Sequence, residues 1–173
     1  MTRARESQAY MAERGRRLAL EQRVVVTGMG VVTSIGRDVP TFWSNVKAGR
    51  SGVRPISSFD ASAYPTRIAS TVEDFERPAC LSHKEARRVA RFSQMALSAA
   101  AEALASAGIE TPLGSDRAGV LLGSAVGGMD ETQSAVEVLR EKGGERLSPF
   151  YIVMAPANLA GFHLAHQYGL LGY

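Results

Sequence analysis

The sequence predicts an α/β layered domain, and three features carry that prediction. Val24-Val25-Val26 and Val120-Leu121-Leu122 are too apolar for half-exposed strands, so each reads as a central strand covered on both faces. Each run ends in glycines, Gly28, Gly30 and Gly36 after the first and Gly123, Gly127 and Gly128 after the second, where α/β proteins place binding groups. A strongly amphipathic helical stretch separates the two. A dinucleotide loop fails on detail: after Gly28-x-Gly30 the third glycine should fall at Thr33, and no clean second strand ends in an acid about twenty residues on. The glycines are expected instead to let backbones cross closely within a layered sheet.

Residues 1–22 are charged and precede the first strand; they read as a basic, frayed N-terminal extension. Residues 23–173 form one domain, with 45% hydrophobic and 21% charged residues across the chain supplying material for a single core. The net charge of +3 sits entirely in residues 1–23, where Arg3, Arg5, Arg14, Arg16, Arg17 and Arg23 face Glu6, Glu13 and Glu21. A nucleic-acid surface would need that excess clustered on the folded body, so nucleic-acid binding is disfavoured. No apolar stretch is long enough to span a bilayer and no signal peptide is recognisable. A single cysteine, Cys80, excludes an internal disulfide and fits a reducing cytoplasm.

Pro40 to Ala48 predicts a helix with Phe42, Trp43 and Val46 on one face and Gly49 as its stop. Ser51 to Arg77 reads as loop, with a short strand inside Thr66 to Val72. Ser82 and Glu85 form a capping box that opens the longest helix, ended by Gly108. Its packing stripe reads Val89, Ala96, Ala99, Ala100, Ala103, Leu104 and Ala107; Arg87, Arg91, Gln94, Ser98, Glu102 and Ser106 form the polar face. The alanines predict close approach to a sheet or a partner helix. Asp130 to Lys142 is a helix with acids in its first turn, stopped by Gly143 and Gly144. A last helix is expected from Ala157 to Tyr168. It is apolar nearly all round, so Leu159, Phe162 and Leu164 would be left partly uncovered within this chain, which should then aggregate or be partly molten in isolation.

Five segments in order, RVVVTGMGVVTSIG (23–36), FWSNVKAGRSGVRPISSFD (42–60), KEARRVARFSQMAL (84–97), GVLLGSAVGG (119–128) and SPFYIVMAPANLAGFHLAHQYGL (148–170), resemble the N-terminal part of the β-ketoacyl-acyl-carrier-protein synthases, type II branch. The resemblance implies the first half of a thiolase-type layered α/β/α fold, incomplete in residues 23–173. It implies a cytoplasmic enzyme that condenses acyl and malonyl groups held on acyl carrier protein, works as a homodimer and uses no metal or organic cofactor. The pathway would be fatty acid or polyketide synthesis. The nucleophilic cysteine and two histidines of the family lie beyond the matching region, so this chain alone is expected to be inactive. A non-catalytic chain-length-factor-like subunit, which pairs with an active synthase, shares the same N-terminal segments and is the alternative.

For binding, the resemblance implies that Val126 gates the inner end of an acyl pocket and that Tyr151 reaches the pocket of the neighbouring subunit. Ordinary core is the competing reading for both, since a pocket for an apolar chain is chemically unfilled core. Cys80 lies between Pro78 and a helix start, away from the family's nucleophile, and reads as a packing residue. His163 and His166 share a helix face and Cys80 and His83 have the same spacing, but neither pair has the repeated spacing of a zinc site. His163 is expected to be a satisfied packing residue. Ala90, Ala125 and Gly161-Phe162 depart from the family's usual aspartate, glycine and Ala-Gly pair.

Overall fold

The computed structural model describes residues 24–172; the N-terminal extension read at 1–22 lies outside them. The first helix, α1 (Val39–Lys47), begins where Asp38 accepts hydrogen bonds from Thr41 N (2.7 Å) and Thr41 Oγ1 (2.8 Å). The first of these satisfies a free backbone N–H of the first turn, and Gly49, at φ +63, turns the chain out at the other end. A hairpin follows, β1 (Val53–Pro55) against β2 (Ile68–Ser70), antiparallel with Val53 opposite Ser70. β2 falls inside the expected Thr66–Val72 strand. β1 lies in a stretch read as loop, because three exposed residues ending in proline carry no strand pattern.

The capping box exists as read: Ser82 Oγ accepts from Glu85 N (3.2 Å) and Glu85 Oε2 accepts from Ser82 N (2.8 Å). It opens only one turn, α2 (His83–Ala86), and the long helix α3 (Arg91–Ser106) starts afresh after Ala90. The break survives because Gln94 Nε2 donates to the carbonyls of Val89 (2.8 Å) and Ala86 (3.0 Å), the latter otherwise held only by a long 3.4 Å bond from Val89 N. Val89 and Ala90 thereby turn into the core.

α4 (Met129–Lys142) and α5 (Leu159–Tyr168) follow, the latter capped by Gly169 in the left-handed region. α5 packs along α3, and Leu81, Val89, Leu97, Leu164 and Tyr168 form the buried cluster between them. Tyr168 Oη donates to the Leu97 carbonyl at 3.1 Å, so this aromatic buries its ring with its hydroxyl satisfied. Leu97, absent from the expected stripe, is the most deeply buried large side chain. Of the three α5 side chains expected to lack cover, Leu164 is buried and Leu159 half-buried; only Phe162 is exposed.

The second face of α3 carries the first glycine run. A Cβ at Gly28 would overlap the Ala103 carbonyl, and one at Gly30 the Ala99 carbonyl. The alanines do permit close approach, and the glycines cross a helix rather than a sheet. Glu102, on the polar face read from sequence, accepts from Val31 N (2.9 Å) through Oε2 and from Val39 N (2.6 Å) through Oε1. Ser106 Oγ accepts from Met29 N (3.1 Å). The polar face of α3 is a clamp on residues 29–39.

The expected central strands are not found. Val24, Val25 and Val26 are exposed, as is Leu121, and neither run belongs to a strand. A buried strand needs ladder partners at its edges and cover on both faces, and among the described residues these runs have neither. A ladder begins just upstream of the second run. Leu171 N donates to the Ser115 carbonyl (2.9 Å), Gly172 N to that of Ala118 (2.8 Å), and Ser115 pairs with Leu170 in parallel.

Candidate functional site

The glycine loop at 123–128, the first turn of α4 and the 3₁₀ turn at Tyr151–Val153 are built into one wall. Gly128 N donates to the Ala155 carbonyl (2.9 Å), and Ala155 N donates to that of Tyr151 (3.0 Å). Gly127 adopts φ +74, and a Cβ there would stand 2.6 Å from Ala157 Cα, so the loop lies flat on residues 155–157 only as glycine. Thr132 N and Thr132 Oγ1 both donate to the Gly128 carbonyl, at 3.1 and 3.0 Å. Thr132 Oγ1 also meets Tyr151 Oη at 3.3 Å.

Val126 and Tyr151, the two pocket residues expected from sequence, therefore sit on adjoining segments of one hydrogen-bonded frame. They do not face one cavity. Val126 is exposed on the loop crest; Tyr151 borders a cavity of about 240 Å³ with Glu131, Ser134, Ser148 and Met154. A second cavity, about 440 Å³, lies between Val120–Leu122 and the start of α5 at Ala157 and Asn158. Burial, helped by neighbouring Asp130, pushes the Glu131 carboxyl above its usual range. Thr132 was not singled out from sequence: its partner hydroxyl lies 19 residues away, and no local pattern announces that meeting.

Lys84 on α2 and Arg87 and Arg88 just after it are exposed. Arg88 lies over the Phe150 ring, 4.3 Å from its centroid, and Arg87 borders the same cavity as Tyr151. The two arginines therefore lie against the segment that carries Tyr151.

Cys80 is half-buried against the core cluster, and burial pushes its thiol up, away from thiolate character. His163 departs from expectation. Its Nε2 is buried without a hydrogen-bond partner among the described residues, and burial, with His166 adding, pushes its pKa down. His166 stacks on the exposed Phe162 ring, centroids 5.8 Å apart. Among the described residues no three His, Cys, Asp or Glu side chains converge as a metal site would require. No helix there is long and apolar enough to cross a membrane.

Comparison with known proteins fits this frame. Residues 21–173 match the family model of the β-ketoacyl synthase N-terminal domain. The chain is 39% identical over 153 residues to 3-oxoacyl-[acyl-carrier-protein] synthase 2 of Coxiella burnetii, covering 88% of this chain and 37% of that protein. It superposes on a β-ketoacyl synthase from Burkholderia phymatum with TM-score 0.72 at 28% identity, over 87% of this chain and 38% of the other. The ishigamide ketosynthase/chain length factor gives the same TM-score and identity, over 86% and 38%. These solved relatives place the described residues within a ketosynthase fold, of which the chain spans well under half. The protein belongs to the β-ketoacyl synthase family, whose N-terminal domain it carries.

Proposed function

We propose that the whole protein is a β-ketoacyl-acyl-carrier-protein synthase. The observation that carries this reading is the family match through 21–173 together with 39% identity to a 3-oxoacyl-[acyl-carrier-protein] synthase. In that reaction an acyl group moves from the carrier's thiol to an enzyme cysteine. The malonyl thioester then loses carbon dioxide, and the resulting carbanion attacks the acyl-enzyme carbonyl. The cysteine sulfur leaves, and a β-ketoacyl carrier thioester forms.

The 173 residues supply scaffold and wall to this chemistry rather than its nucleophile. Cys80 is a packing thiol with its pKa pushed up, and His163 is a half-buried ring whose pKa burial pushes down. Val126 and Tyr151 border the acyl site, Tyr151 toward the second subunit of a homodimer. The ladder started by Ser115 and Ala118 with residues 170–172 favours a further parallel strand along Val120–Leu122. The cations at Lys84, Arg87 and Arg88 suit an acidic carrier protein. The likeness to a ketosynthase/chain length factor supports a second reading, a non-catalytic subunit paired with an active synthase.

The test is condensation by the purified whole protein with acyl- and malonyl-carrier thioesters. Turnover is expected, unchanged by Cys80→Ser and absent from residues 1–173 alone. No turnover without an added synthase, restored when one is supplied, favours the paired subunit. Loss of turnover with Cys80→Ser overturns the assignment of that thiol.

A further inference from the structure

The end of the first glycine run borders a polar groove that the proposed condensation does not use. Four segments wall its volume of about 400 Å³: residues 33–38, α1 at Thr41 and Asn45, residues 50–54 leading into β1, and residues 71–74 after β2. Side chains stitch these segments together. Ser34 and Ser70 share a hydroxyl–hydroxyl hydrogen bond of 2.6 Å, Asn45 Nδ2 donates to the Ile35 carbonyl, and Arg37 donates to the Glu73 carbonyl. A Cβ at Gly52 would stand 2.0 Å from Ser34 Oγ, so the approach of these two segments requires glycine there.

The charged groups of the groove are Arg37, Arg50, Arg54, Asp38, Glu73 and Asp74. They balance formally, but they are not equally open to a ligand. Asp38 turns both oxygens to Thr41, at 2.7 and 2.8 Å. Glu73 accepts from Ser57 Oγ (3.3 Å) through Oε1 and meets Arg54 Nη1 at 3.6 Å through Oε2. Among the donors, Arg37 uses one nitrogen on a carbonyl, and Arg50 has no side-chain partner among the described residues. Ser51 Oγ accepts from Val53 N (3.1 Å), which leaves its own O–H to donate. Open donors therefore outnumber open acceptors, and Asp74 is the one carboxylate of the groove left unengaged among the described residues.

We propose that this groove binds a phosphate monoester, its terminal oxygens held by Arg37, Arg50 and the Ser51 hydroxyl. Guanidinium forks from two different segments need more acceptor edges than one carboxylate offers, and a tetrahedral dianion supplies them. The volume leaves room for a small organic group on the phosphate. Asp74 borders the same groove as a like charge and holds the affinity down.

The test is titration calorimetry on the whole protein with glycerol 3-phosphate, inorganic phosphate and dimethyl phosphate, at one ionic strength set with chloride. The monoester should bind at least as tightly as inorganic phosphate. The diester, with one charge and one terminal oxygen fewer, should bind about tenfold more weakly or worse. Arg50→Gln and Arg37→Gln should each weaken the monoester by about tenfold. Asp74→Asn should tighten it by about twofold to fivefold, and asparagine accepts the left-handed backbone there, φ +49, so the fold is undisturbed. Arg50 and Asp74 are exposed, and their variants should melt like the wild type without ligand. An absence of monoester binding overturns the proposal, as does equal binding of the diester. Tighter binding of inorganic phosphate overturns the assignment of an organic ligand. Unchanged affinity in Arg50→Gln or in Asp74→Asn puts the anion elsewhere on the surface and overturns the site.

Discussion

Glu102 offers the most direct test of how the first glycine run is held. Its two carboxylate oxygens each accept one backbone N–H, Val31 at 2.9 Å and Val39 at 2.6 Å, closing residues 31–39 onto α3. Hydrogen bonds to a charged acceptor contribute about 1.5–3 kcal/mol each. Glu102→Gln keeps one acceptor oxygen and turns an NH₂ donor toward the other N–H, so it removes one bond and sets donor against donor. The cost should be about 2–3 kcal/mol, or roughly 30- to 150-fold in the local opening equilibrium. Glu102→Ala should cost more, since both N–H groups lose their partner. The assay is amide hydrogen exchange in the whole protein, read at Val31 and Val39 against amides inside α5. Exchange should quicken at the two clamped amides and hold near its wild-type rate in α5. Unchanged exchange at Val31 and Val39 in both variants would refute the clamp.

Other expectations follow from the packing. Gly30→Ala places a Cβ on the Ala99 carbonyl, so the run must lift from α3; the same two amides should lose protection with Glu102 intact. Leu97→Ala empties the centre of the α3–α5 contact and should cost about 2–5 kcal/mol in thermal or denaturant unfolding; a smaller loss would mean the helices collapse onto the gap. His163 has its folded pKa pushed below its ordinary 6.5, so the unfolded state binds the proton more readily. Its contribution to stability is therefore present above that pH and lost as pH falls below it. His163→Phe should flatten the decline as pH falls below 6.5, and an unaltered slope would count against the desolvation of that ring.

What could be read from sequence was what is decided locally. The Ser82–Glu85 box, the acids opening α4 and Gly169 closing α5 act within a turn of themselves, and each is in place. The break at 87–90 is held by a glutamine reaching back from α3, a tertiary event that helical periodicity passes over. Glu102 and Ser106 have the composition of a solvent face, yet their partners are backbone groups more than sixty residues away. The two aliphatic runs show the opposite failure. Val24–Val26 and Val120–Leu122 report a need for cover, and apolarity cannot say where in the molecule that cover comes from. The wall at Val126 and Tyr151 was approached through family likeness, whereas Thr132 between them is visible only once the turn at 151 meets α4.

The contact between α3 and α5 has a consequence for the order in which the protein can be made. Tyr168 reaches back 71 residues to Leu97, and residues 29 and 31 reach forward by 77 and 71 to Ser106 and Glu102. A chain leaving the ribosome can therefore form α3 early but has only Leu81 and Val89 to cover its Leu97 face until Leu164 and Tyr168 have emerged. Through that interval part of an apolar helix face waits in water, and the loops to be closed are long, which slows closure. The nascent protein is thus most vulnerable to non-native association during synthesis of residues 107–168, and chaperone dependence should be concentrated there.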